Sequence, residues 1–147
     1  MVILRNLNYM RAIMLNIYID NSGSMECQDK LEVAKYIARG IKNANFYTLN
    51  GAKIEADSLD SISINNDRKI SVNTGGVNVL LSDGLLGGDK NIFDMALAIG
   101  IDADVKFLQF IAQKVYTRNE VVGFLAYLKL CSESGTSTES AEGDSWD

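Results

Sequence analysis

The sequence predicts an α/β domain: a mostly parallel central sheet flanked by helices in three layers, in a small or partly truncated version. Three observations lead there. Short aliphatic runs alternate with segments whose apolar residues recur at helical spacing. Several of the runs stop at an aspartate or at a cluster of Asn, Ser and Gly, the punctuation of strand ends. A chain of 147 residues with 47% hydrophobic and 22% charged residues also has the composition of one globular domain with one sizeable core.

Taken in order, Met14 to Ile19 ("MLNIYI") reads as a buried strand. From Asp29 to Lys42, Leu31, Ala34, Ile37, Ala38 and Ile41 form one apolar helical stripe, with Gly40 and Asn43 as stop signals. "ANFYTL" (Ala44 to Leu49) is a second strand, closed by Asn50-Gly51. Residues 52–76 alternate short apolar pieces with Asn, Asp and Ser, which predicts small strands and turns and no long helix. "VNVLL" (Val77 to Leu81) resumes as a buried strand and stops at Ser82-Asp83-Gly84, and Phe93 to Ile101 is another strand. Val105, Leu108, Ile111 and Ala112 make Ala103 to Gln113 an amphipathic helix that Asp102 can cap. Lys114 to Arg118 is a last short strand, and Glu120 to Cys131 a last helix.

The domain therefore spans 14–131, between an N-terminal extension of uncertain order (1–13) and an acidic, Ser-rich tail (132–147). That tail carries Glu133, Glu139, Glu142, Asp144 and Asp147 with no base, so the formal charge of −5 belongs to it. Its scarcity of apolar groups predicts disorder. The 14 remaining acids balance the 14 Lys and Arg, and no basic patch for nucleic acid is visible. Met14 to Ile19 is far short of a membrane span, and no small-residue cleavage site follows it, so neither a membrane segment nor a signal peptide is expected. Histidine is absent, which removes Ser-His-Asp and Cys-His mechanisms within the chain. Two cysteines, Cys27 and Cys131, suit reduced thiols in a cytoplasmic protein.

The chemistry concentrates at "IDNSGSM". Asp20, Ser22 and Ser24 stand at i, i+2 and i+4 on a turn between a buried strand and a helix. Hard oxygen ligands with little net charge suit Mg²⁺ or Mn²⁺. The same residues are good turn and N-cap material, so both readings stand at this point. In a parallel sheet the ligand sits beyond the carboxyl ends of the strands, and Asp83 is a second aspartate at such an end.

"IYIDNSGSM" resembles the D-x-S-x-S segment of von Willebrand factor A (vWA) domains, and "VLLSDG" resembles their later T-D-G strand end. "ALAIGIDADVKFLQFIAQKVYTRNEVVGFLAYL" is similar to their closing strand, helix, short strand and helix. The resemblance covers Met14 to Leu130 and, within the family, points to the bacterial tellurium-resistance TerY type. It implies a Rossmann-like vWA fold with a metal-ion-dependent adhesion site (MIDAS). In that site Ser22 and Ser24 would bind Mg²⁺ or Mn²⁺ directly, while Asp20 and Asp83 would act through bound water. The family's remaining ligand is a threonine. Thr74 is the nearest match, with Thr48 and Ser71 as weaker substitutes, yet only Gly75 and Gly76 separate Thr74 from the next strand, where the family usually places a helix. The implied function is a non-enzymatic, metal-dependent protein-binding module whose ion takes an acidic side chain of a partner protein. Two alternatives are a vWA-derived scaffold with a vestigial site and a Mg²⁺-dependent phosphohydrolase using Asp20 as nucleophile. The latter would ordinarily carry a second aspartate where this chain has Ser22.

Overall fold

A computed structural model describes residues 14–66, 69–72 and 75–141, without the side chains of 133–141. The 1–13 extension and the last six residues of the acidic tail lie outside the described residues.

The aliphatic runs become a six-stranded sheet: β1 (Leu15–Ile19), β2 (Ala44–Thr48), β3 (Lys53–Ile54), β4 (Val77–Ser82), β5 (Phe93–Ala98) and β6 (Ala112–Tyr116). Their order is β3-β2-β1-β4-β5-β6, all parallel except β3, which pairs antiparallel with β2. Three α-helices pack on it: α1 (Lys30–Arg39), α2 (Val105–Ile111) and α3 (Val121–Ala141). The result is a mostly parallel α/β sheet with flanking helices, compatible with a Rossmann-like fold.

The period of two along each strand sorts side chains into two cores. Leu15, Ile17 and Ile19 of β1, with Val79, Leu81 and Leu97, face Leu31, Ala34 and Ala38 of α1 and Phe124 and Leu128 of α3. On the opposite face, Tyr18, Leu80 and Ala96 meet Leu108 and Ile111 of α2, with Ile70 and Val72 alongside. Tyr18 stacks on Tyr47 at 4.9 Å and meets the edge of Phe93 at 5.5 Å. Because β1 is covered on both faces, all five of its residues are buried, including Asn16. Asn16 is paired in register with Asn45 and Asn78. Its amide donates to Asn78 Oδ1 at 3.1 Å and to the Gly75 carbonyl at 2.7 Å, while Asn45 donates to Asn16 Oδ1 at 3.4 Å. A polar ladder thus crosses three strands near their amino ends.

The structure departs from the sequence expectation in three places. The first helix does not begin at Asp29: a 3₁₀ stretch, Gly23–Asp29, precedes it, and Gln28 and Asp29 both take left-handed backbone (φ 57° and 55°) before α1 starts at Lys30. Asp102 does not cap the second helix; Asp104 does, its Oδ1 accepting the Phe107 N–H at 3.0 Å. The last helix runs on to Ala141, past the end of its apolar pattern at Cys131. Residues 52–66 build β3 and a 3₁₀ turn (Ala56–Ser61), which α1 holds through Lys35 Nζ on the Asp60 carbonyl (3.1 Å) and an Arg39–Asp60 ion pair. Among the described residues no helix is long and apolar enough to cross a membrane.

Phe124 is the anchor of α3: it is fully buried and packs edge-on against Tyr116 at 5.5 Å. Phe124→Ala is expected to cost about 3–5 kcal/mol in urea denaturation, the range for emptying a buried aromatic site. A loss under about 1 kcal/mol, the scale of a surface substitution, would mean that α3 is not docked as described.

Candidate metal centre at the strand ends

β1 and β4 are neighbours, with Ile19 opposite Leu81, so Asp20, just past the end of β1, comes together at the carboxyl edge with Ser82, the last residue of β4, and Asp83 just past it. The Asp20 N–H still donates to the Leu81 carbonyl at 3.0 Å, carrying the sheet one step further. Asp20, Ser22, Ser82 and Asp83 are all 0% exposed. Two of the aspartates predicted from sequence thus share one buried junction.

The Asp20 carboxylate accepts the Ser22 N–H on Oδ1 (2.8 Å) and the Ser82 hydroxyl on Oδ2 (2.6 Å). Ser82 Oγ in turn accepts the Gly84 N–H at 2.8 Å. Burial pushes the Asp20 carboxyl above its ordinary value; the bonds from Ser82 and Ser22 pull the other way, and the charge of Asp83 pushes it further up. The net direction is upward. This junction is therefore one where an ionised carboxylate is held at a cost, and a cation nearby would relieve it.

Ser22 and Ser24 bear on the two readings of the turn. Ser22 sits at the N-cap of the 3₁₀ stretch, yet its hydroxyl makes no capping bond. Ser22 Oγ and Ser24 Oγ are both shielded from solvent and make no hydrogen bond of ordinary geometry, although Ser22 Oγ is near enough to Asp20 to stabilise its charge. Turn chemistry here is done by Asp20 and the Ser22 amide rather than by the hydroxyls. A buried polar group without a partner costs about 1–3 kcal/mol, so two such hydroxyls on one short loop are donors of the kind a hard cation takes. Asn66 lies against Gly23, its Oδ1 only 2.8 Å from where a Cβ would stand, and Asn65 N–H donates to the Asn21 carbonyl at 2.8 Å. Segment 62–66 thus covers the loop.

Asp83 fits less simply. Its Oδ1 accepts the Leu85 N–H at 3.0 Å, and its Oδ2 accepts the ammonium of Lys30 at 2.9 Å. Lys30 is 1% exposed and also reaches Asp102, at 3.0 Å and 3.1 Å. Burial alone would lower the Lys30 pKa; the hydrogen bonds and charges of Asp83 and Asp102 outweigh it, and the net direction is upward. Sequence reasoning missed Lys30, Ser82 and the role of Asp102. A signal for Lys30 existed: it stands four residues before Ala34, on the apolar stripe of the helix, where a lysine must find a counter-charge.

Thr74, the predicted fifth ligand, lies outside the described residues. Of its substitutes, Thr48 donates its hydroxyl to Asn50 Oδ1 at 2.7 Å, and Ser71 is an exposed residue tied to the Asn50-Gly51 turn by its N–H on the Leu49 carbonyl (3.1 Å). Neither hydroxyl joins Asp20. Among the described residues no three Asp, Glu, Cys or His side chains cluster as a metal site, so a bound ion would rest on hydroxyls and one or two carboxylates. Beside the junction an open cleft of about 550 Å³ is lined by Asn21, Thr48, Asn50, Asn65 and Asn66. Comparison of the chain with protein-family models, with curated proteins and with solved structures finds no match to any of them.

The raised Asp20 carboxyl carries a pH signature. Its charge is disfavoured in the folded state, so the penalty is absent below the ordinary carboxylate range and grows as pH rises from there through the raised value. Asp20→Asn keeps the shape and removes the charge. In EDTA it is expected to be more stable than wild type at neutral pH and to converge with it in acid. Denaturant titrations across pH check this; a variant less stable at neutral pH would show that Asp20 is there for stability alone.

Proposed function

We propose that the chain is a vWA-like protein-binding module whose Asp20 turn holds a divalent cation, Mg²⁺ or Mn²⁺. The observation that carries this reading is that the Ser22 and Ser24 hydroxyls, on the loop that follows the desolvated Asp20, are shielded from solvent and make no hydrogen bond of ordinary geometry among the described residues. In this assignment Ser22 Oγ and Ser24 Oγ ligate the ion, and Asp20 and Asp83 lend negative charge from the strand ends. The bound ion would supply an open coordination position for an acidic side chain of a partner protein. The chain's own contribution is to hold the hydroxyls in place: β1 and β4 position Asp20, the Asp20 carboxylate fixes the Ser22 amide, and Ser82 fixes Asp20.

The rim of the junction suits a protein surface. Leu85, two residues past Asp83, and Ile101, next to Asp102, are 37% and 70% exposed. Cys27 and Cys131 are free thiols, in keeping with a reducing, cytoplasmic setting. The phosphohydrolase alternative gains a buried lysine in Lys30, but its ammonium is bonded to Asp83 and Asp102, and position 22 holds serine. We therefore favour binding over catalysis.

A thermal-denaturation series in EDTA, Mg²⁺, Mn²⁺ and Ca²⁺ tests the site. An ion at a hundred times its Kd stabilises the native state by about 2.7 kcal/mol. A dose-dependent rise in Tm with Mg²⁺ or Mn²⁺ is expected for wild type and not for Ser22→Ala. Equal shifts in both proteins, or none at millimolar metal, would favour the vestigial scaffold.

A further inference from the structure

We propose that Lys30 is a built-in competitor for the divalent cation: in the metal-free protein its ammonium holds Asp83, and loading the site requires Lys30 to release Asp83 and pass to Asp102. This inference rests on the metal-binding reading above and adds how that site is regulated.

Helix preference does not explain the position of Lys30. It is the first residue of α1, at the positive end of the helix dipole, where a cation is disfavoured. Burial at 1% exposure is a second penalty, and the two consecutive left-handed residues that set it there, Gln28 and Asp29, are a third. The seat is also shaped for it. Gly100 adopts φ +95°, and a Cβ at that position would stand 2.5 Å from Lys30 Cδ and 3.0 Å from Asp102 Oδ1. Only a residue without a side chain lets the lysine stem lie between the end of β5 and the Asp83 carboxylate.

The two carboxylates that share the ammonium differ in a way that makes a path. Asp83 is fully buried, with its second oxygen already on the Leu85 N–H, while the Asp102 side chain is 46% exposed. An ammonium and a divalent ion on the same buried carboxylate repel each other strongly. The flexible four-carbon stem of Lys30 lets the ammonium leave Asp83 and remain on Asp102 nearer to solvent, so it loses one partner and keeps the other. Asp83 is then free to face the ion held by Ser22 and Ser24. The outward swing also lifts the lysine off the covered junction toward the half-exposed Asp102, whose chain neighbour Ile101 is exposed. Metal loading, in this account, rearranges the surface that a partner meets.

Amine acetylation of the wild-type protein, read by peptide mass spectrometry across a Mn²⁺ titration, follows Lys30 directly. Lys35, also buried (4% exposed) but bonded to Glu32 and the Asp60 carbonyl, is the internal control. Lys30 is expected to be protected in EDTA and to become reactive as Mn²⁺ is added, while Lys35 stays protected; in Ser22→Ala, Lys30 stays protected throughout. Lys30→Met, which keeps the stem and removes the charge, is expected to bind Mn²⁺ at least about tenfold tighter, since one neighbouring charge acts on that scale or more. Binding of Mn²⁺ by Lys30→Met alone, with none by wild type, would also support the competitor. Mn²⁺ binding with Lys30 still protected, or equal affinity in the variant, overturns the competitor and leaves the metal site standing. No Mn²⁺ binding by either protein overturns both. If Lys30→Met does not fold, the wild-type labelling decides by itself: a rise supports the proposal and constant protection defeats it.

Discussion

Two aspartates and a lysine are buried where β1, β4 and α1 meet, and the rest of the carboxyl edge is arranged around satisfying them. An isolated charge cannot be taken out of water without a partner, so each must be met inside the fold. Asp83 has Lys30 and a backbone N–H, while Asp20 has an amide and the Ser82 hydroxyl and, among the described residues, no ion pair. That inequality is the main electrostatic feature of the molecule. Burial, with the charge of Asp83 adding to it, accounts for the upward push on the Asp20 carboxyl.

The two ends of the sheet treat buried polarity in opposite ways. Near the amino ends, Asn45, Asn16 and Asn78 bond laterally across three strands, and the buried Asn16 is satisfied there. At the carboxyl end, the Ser22 and Ser24 hydroxyls are shielded from solvent and, among the described residues, make no hydrogen bond of ordinary geometry, although Ser22 lies near enough to Asp20 to stabilise its charge. The contrast is the observation on which the proposed metal site rests, because buried polar groups are ordinarily satisfied. The asymmetry also explains why the amino end looks like architecture and the carboxyl end like a ligand site, in agreement with the general placement of sites in parallel sheets.

Coverage of the sheet shapes access to that site. The face with α1 and α3 is closed by long helices, whereas the other has the short α2 together with Ile70 and Val72 from an irregular segment. Segment 62–66 then folds over the Asp20 loop through Asn65 and Asn66. A segment outside any regular element thus lines the junction, and its bonds with Asn21, Asn65 N–H on the Asn21 carbonyl and the Asn21 amide on the Ser63 carbonyl, stand in for those of a regular element.

Much was legible in the sequence, because the signals involved are local. Alternation and helical spacing located β1, α1, β2, β4, β5, α2, β6 and the start of α3 to within a few residues, since each buries a face set by its own period. The joint placement of Asp20 and Asp83 was legible too, because parallel strands deliver their ends to one edge. What the periods do not encode is which side chain meets which across that edge. The kink at Gln28 and Asp29, which lowers Lys30 into the junction, is a backbone choice that neither residue's propensity favours. Asp102 looks like a helix cap in sequence and becomes a lysine's partner only once Gly100 has turned it toward α1. Ser22 and Ser24 look like turn residues, and only packing reveals that their hydroxyls are shielded from solvent and, among the described residues, make no hydrogen bond of ordinary geometry. The sequence by itself determined the layers and the strand-end carboxylates. Tertiary structure decided their charge balance, because desolvation and ion pairing depend on what distant segments bring within a few ångströms.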